Sequence, residues 1–195
     1  MLTLRPALLL FLLTWGGAAA AAEPRLEEFR PRLERVLQET VAPLARDPAV
    51  VAAIRRQNEA HAGLSDTAVL DLDKRWRAEV QAGSGALVRS LLEAPVSKLL
   101  KERQAGSLGL IAEAFVMDAR GLNVGQTNIT SDYFQADEAK WQKTYAAGPA
   151  ATLIDAIAFD ESAGTYVSQV SMCIVDPDTG RPIGAITVAV DLAKI

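Results

Sequence analysis

Ser131-Asp132-Tyr133-Phe134-Gln135-Ala136-Asp137-Glu138-Ala139-Lys140-Trp141-Gln142-Lys143-Thr144-Tyr145 is an aromatic and charged segment set among strand-like runs, and those runs decide the fold. Before it, Leu108 to Met117 reads as a strand, Asp118 to Gly121 as a turn and Leu122 to Thr127 as the returning strand. Residues Asn128 to Tyr145 are too many for a hairpin turn, and Asp137 to Tyr145 is predicted to form a short helix within them. After it, Leu153 to Phe159 is a strand and Asp160 to Gly164 a turn. Thr165 to Val175 then alternates, with Val167, Gln169, Ser171, Cys173 and Val175 on one face and Tyr166, Ser168, Val170, Met172 and Ile174 on the other. Asp176-Pro177-Asp178-Thr179-Gly180 carries strong turn chemistry, and Ile183 to Leu192 closes the chain with Ile186, Val188 and Val190 on one side.

Upstream of residue 107 the hydrophobic period is helical. Leu26, Phe29, Leu33, Val36, Leu37, Val41 and Leu44 recur at spacings of three and four. Pro31 and Pro43 predict a break or kink near each, because an interior proline removes a hydrogen bond and costs about 3 kcal/mol. Asp47-Pro48 predicts a cap followed by proline at the first helical position. A further helix is expected from Asp66, capped by that residue, with Val69, Leu72, Trp76 and Val80 inward and Asp71, Asp73, Lys74, Arg75 and Arg77 mostly outward. Gly83-Ser84-Gly85 interrupts, Leu87 to Leu92 is helical up to Pro95, and Ser97 to Gln104 is a short helix ended by Gly106. Helices first and then five short strands joined by turns describe an α+β domain on an antiparallel sheet.

Residues 1–22 are set apart. Arg5, the apolar run Ala7 to Trp15 and the small-residue stretch Gly16 to Ala22 have the order of a secretory signal with its cleavage site. The apolar run is short of the roughly 20 residues that a membrane span needs. The expected product is an exported, periplasmic and soluble domain made of a helical part, 23–106, and a sheet part, 107–195. The formal net charge of −4 becomes one unit more negative without Arg5, and no basic stripe exists, which argues against nucleic acid as partner. The single Cys173 sits in a strand pattern and reads as a buried structural thiol. The single His61 reads as an ordinary surface histidine near a helix end. No catalytic arrangement, metal cluster or phosphate loop has support in the spacing, so neither an enzyme nor a cofactor is expected.

Val116-Met117-Asp118-Ala119-Arg120-Gly121, then Ser131-Asp132-Tyr133-Phe134, then Val170 to Asp176 with Gly180-Arg181-Pro182-Ile183-Gly184-Ala185, resembles the extracytoplasmic Cache (PDC, PAS-like) sensor domains in residues and in order. The resemblance implies a single Cache domain in which long N-terminal helices precede a PAS-like five-stranded antiparallel sheet and a loop covers a ligand. With the sequence ending just after the last strand, it implies a stand-alone exported form.

Within that frame Tyr133, Trp141 and Tyr145 are candidate walls of a pocket, and Lys140 or Lys143 the cation that holds a ligand carboxylate. The alternative is that Trp141 and Tyr145 simply cover the sheet and the lysines face water. Asp155 lies in the apolar run Leu153 to Ile157 and needs a partner if its strand face is buried; at a sheet edge it would stand in water. Gln169 and Ser171 share a strand face and complete the candidate set. The expected ligand is a small polar metabolite, a carboxylate or an amino acid. The competing reading is a ligand-free interaction module that docks on a membrane-bound sensor protein or forms a homodimer through the N-terminal helix, using Leu26, Phe29 and Leu33.

Overall fold

The computed structural model describes residues 24–161 and 164–195. The expected signal segment, and Ser162 and Ala163 of the expected turn, lie outside the described residues. The elements in chain order are α1 (Leu26–Val36), a π-turn (Leu37–Val41), α2 (Ala42–Ala45), α3 (Pro48–His61), α4 (Asp66–Gln81), α5 (Ala86–Leu92) and α6 (Pro95–Gly106). The sheet follows: β1 (Ile111–Asp118), β2 (Asn123–Gln126), the short α7 (Ala139–Gln142), a 3-10 turn (Tyr145–Ala147), β3 (Thr152–Asp160), β4 (Thr165–Val175) and β5 (Pro182–Asp191). The fold is therefore α+β, with N-terminal helices and a PAS-like five-stranded antiparallel sheet in the order β2-β1-β5-β4-β3.

Two details of the helical half differ from the sequence expectation. Pro31 does not break α1, although it stands in the middle of the helix and its missing N–H costs one bond. The disturbance comes at the π-turn ahead of Pro43, where the wider backbone moves a carbonyl away from the pyrrolidine ring. The cap of α4 is Ser65, whose Oγ accepts from the Ala68 N–H, whereas Asp66 reaches across to Arg120. Asp47 caps α3 as its dipeptide with Pro48 implies, accepting from the Ala49 N–H at 2.9 Å.

The helices cover one face of the sheet. Leu33, Val41, Val50, Ile54 and Leu100 pack with Val116, Val170, Ile174, Ile186 and Val188 in one core. Leu26 and Phe29 pack against the same core, so the apolar face proposed for docking or dimerisation is used inside the chain. Among the described residues no helix is long and apolar enough to cross a membrane.

On the opposite sheet face, register places three rows across the central strands. Glu113 of β1 pairs with Ala189, which pairs with Gln169; Phe115 pairs with Thr187, which pairs with Ser171; Met117 pairs with Ala185, which pairs with Cys173. The middle member of each row is small, so the face is a trough along β5. Segment 127–147 lies over it. Trp141 and Tyr145 fill one end against Phe115, Met117 and Ala185, and the end between Glu113 and Gln169 is left open.

Candidate functional site

The open end is a cleft of about 310 Å³ lined by Glu113, Phe115 and Gln169 from the sheet and by Thr130, Ser131, Asp132, Gln135, Glu138 and Lys140 from the covering loop, with Ile129 at its edge. The volume suits a small metabolite. A larger hollow of about 420 Å³ lies where the π-turn meets α6, but its charged residues Glu39, Glu102 and Arg103 are exposed and screened by solvent. The polar cleft is the better candidate.

Its groups are individually placed. The Lys140 ammonium is 2.8 Å from Glu138 Oε2, donates to Gln135 Oε1 at 3.3 Å, and stands 5.2 Å above the Phe115 ring. Gln135, almost fully buried, donates to Asp132 Oδ1 at 2.6 Å, and Arg77 reaches Asp132 Oδ2 at 3.3 Å. Glu113 is different. Burial pushes its carboxyl above the usual range, the Lys140 charge opposes that rise, and Asp160 adds to it. Among the described residues no hydrogen bond or ion pair meets the Glu113 carboxylate.

The covering loop is held from the helical half. Asp73 Oδ1 accepts from the backbone N–H groups of Tyr133 at 2.8 Å and Phe134 at 3.0 Å, while Arg77 donates to Asp73 Oδ2. Asp73 is therefore buried, contrary to its expected outward place. The spacing held the signal: Asp73 is four residues after Val69 and three before Trp76, on their face of the helix. A second anchor is Asp118, fully buried, which accepts from Gln57, from the backbone N–H groups of Arg120 and Leu122, and lies 2.8 Å from His61 Nδ1. Its carbonyl accepts from Trp141 Nε1 at 3.2 Å. His61 is thus a half-buried partner of the β1–β2 turn and not a free surface histidine.

Of the eight residues expected at the site, Lys140 and Gln169 line the cleft together. Tyr133 is buried under the loop, stacked on Trp76 with ring centroids 5.4 Å apart, and burial followed by the Asp118 charge raises its phenol. Trp141 and Tyr145, with ring centroids 4.9 Å apart, cover the sheet beside the cleft. Burial, then Cys173 and Asp118, raises the Tyr145 phenol. The predicted helix shortens to Ala139–Gln142, and Tyr145 meets Trp141 from the 3-10 turn that follows. Lys143 is exposed. Ser171 Oγ is 2.9 Å from Thr187 Oγ1 in the buried trough floor. Asp155 sits on the bulge of the edge strand β3, where its carboxylate accepts from its neighbour, the Ala156 N–H. Cys173 is buried, and burial pushes its thiol up to about 11.

Glu113 is the residue that sequence reading missed. It is the one charged side chain between Ile111 and Met117, the same signal that singled out Asp155. The two carboxylates differ in the place of their strands: β1 is interior and β3 is an edge.

No protein-family model matches the sequence, and no curated protein sequence does either. Among solved structures, the chain is similar to the sensor domain of the Vibrio cholerae histidine kinase DctB, at 16% identity and TM-score 0.38, covering 87% of this chain and 57% of that one. It is similar to the ligand-binding domain of the Pseudomonas fluorescens chemoreceptor CtaA in complex with L-serine, at 12% identity and TM-score 0.39, covering 66% and 60%. It is also similar to the ligand-binding domain of the Campylobacter jejuni chemoreceptor Tlp3 in complex with L-valine, at 12% identity and TM-score 0.39, covering 84% and 63%. The chain thus spans less than two thirds of the length of the structures it matches. Those structures are sensor and ligand-binding domains of histidine kinases and chemoreceptors.

Proposed function

We propose that this chain is an exported, Cache-type sensor domain that holds a small polar metabolite, an amino acid or a related amine, in the cleft between Glu113, Gln169 and Lys140. The observation that carries this reading is the unmatched Glu113 carboxylate, on an interior strand beside a cleft with nearly all-polar walls. An apolar sheet face would not keep such a group without use, because a half-buried carboxylate lacking a close partner opposes folding. Export rests on the reading of residues 1–22. Binding would be reported through the covering loop, which Asp73 ties to α4 and Trp141 ties to the Asp118 turn. A membrane-bound sensor protein is the partner that such a role requires.

The test is a thermal-shift and calorimetric screen of amino acids and small amines on the purified protein, with L-serine, L-valine and L-alanine included. Saturable binding that weakens in both Glu113→Gln and Gln169→Ala is expected. If no compound stabilises the protein, or if both variants bind as the parent does, the cleft is not the site.

A further inference from the structure

Carboxylates outnumber cations around the cleft, and one of them has no close partner. Lys140 is neutralised by Glu138 at 2.8 Å. Asp132 is met by the Gln135 amide and by Arg77. The Glu113 carboxylate remains without such a partner among the described residues. An incoming carboxylate would have to take Lys140 from Glu138 while standing near Glu113 and Asp132. An incoming ammonium meets a waiting carboxylate and displaces no pair. The remaining lining agrees with a cation: Gln169 and Ser131 offer oxygen acceptors, and the Phe115 ring already faces one ammonium, that of Lys140.

Resting on the cleft being a ligand site, we infer that it selects a ligand of net positive charge, a small primary amine whose ammonium meets Glu113 and which needs no carboxylate. Coulomb attraction in a half-buried site is several times that in bulk water, so the excess of carboxylates, with Glu113 lacking a close counter-ion, decides between ligands of equal size. Specificity here is a difference of affinities, with repulsion from Glu113 and Asp132 acting against acids.

Probes of similar size and opposite or differing charge separate charge from shape. L-alaninamide is a cation at pH 7 and L-alanine is its zwitterionic counterpart; 1,4-diaminobutane is matched by succinate. Calorimetric titration of the full chain with these four probes at pH 7 should give binding of the two amines, at least ten-fold weaker binding of alanine, and none of succinate. Glu113→Gln should weaken amine binding at least ten-fold, and Glu113→Asp should retain part of it. Alanine or succinate binding as tightly as its cationic counterpart, with that binding lost in Lys140→Met, overturns the charge preference while leaving the cleft as the site. Amine binding that survives Glu113→Gln overturns it as well. Failure of all four probes and of the wider amino-acid screen removes the ligand site itself, and the preference with it.

Discussion

Glu113 is a side chain kept against the interest of stability. A carboxyl whose folded-state pKa is raised by burial stabilises the fold below its unfolded value and loses that contribution as pH rises through the folded one. Glu113→Gln removes the charged form, so it should raise stability at neutral pH by about 0.5–2 kcal/mol, the range of such exchanges at functional sites. Urea melts of parent and variant at pH 7 check this, and a lower midpoint for the variant would remove the strain argument. Asp176 behaves in the opposite sense. The Arg55 guanidinium, followed by the Asp178 and Thr179 backbone N–H groups against the opposing effect of burial, holds its carboxyl down to about 2. Its contribution is therefore present above the ordinary value of 3.8 and is lost as pH falls through about 2. Asp176→Asn should lower the melting temperature at pH 7, and the gap to the parent should close near pH 2. The turn at Asp176 is legible in its residues; Arg55, far away in sequence on α3, is not, because no local spacing links the two.

At the scale of elements, strands and helix ends are legible because their causes are local. Alternation marks β4 to the residue, and Asp47-Pro48 and Gly83-Ser84-Gly85 punctuate the helices as capping chemistry requires. What holds the covering loop is less visible, since Asp73 reads as one more polar residue in a charged helix until its register with Val69 and Trp76 is counted. Its two bonds to loop N–H groups are charge-assisted, one buried and one part-buried. Asp73→Ala should cost about 2–3 kcal/mol, by the loss of charged hydrogen bonds and the stranding of buried donors. Hydrogen exchange should quicken at the Tyr133 and Phe134 amides in that variant more than in β4 or β5. Uniform exchange across the sheet would mean that Asp73 serves the fold as a whole and not the loop.

At the scale of the molecule, the order of strands is what sequence reading leaves open. The last strand, β5, stands in the middle between β1 and β4, a pairing of distant segments that no window of neighbouring residues can reveal. A trace of it existed: β5 is apolar on both parities, as a strand covered on both faces must be. The site follows from this order, because Glu113 and Gln169 meet only across Ala189 of the intervening strand. Lys140 and Gln169 are therefore readable from the sequence as residues that line the cleft, whereas Glu113 emerges only once β1 is known to be interior. A ligand bound there stabilises the whole domain by mass action, about 2.7 kcal/mol at one hundred times its dissociation constant. The most direct measurement compares one amine ligand on three proteins by calorimetry: the parent, Glu113→Gln and Asp155→Asn. The account expects one site per chain, weakened at least ten-fold by Glu113→Gln and unchanged by Asp155→Asn. Binding lost with Asp155 and kept without Glu113 would contradict it.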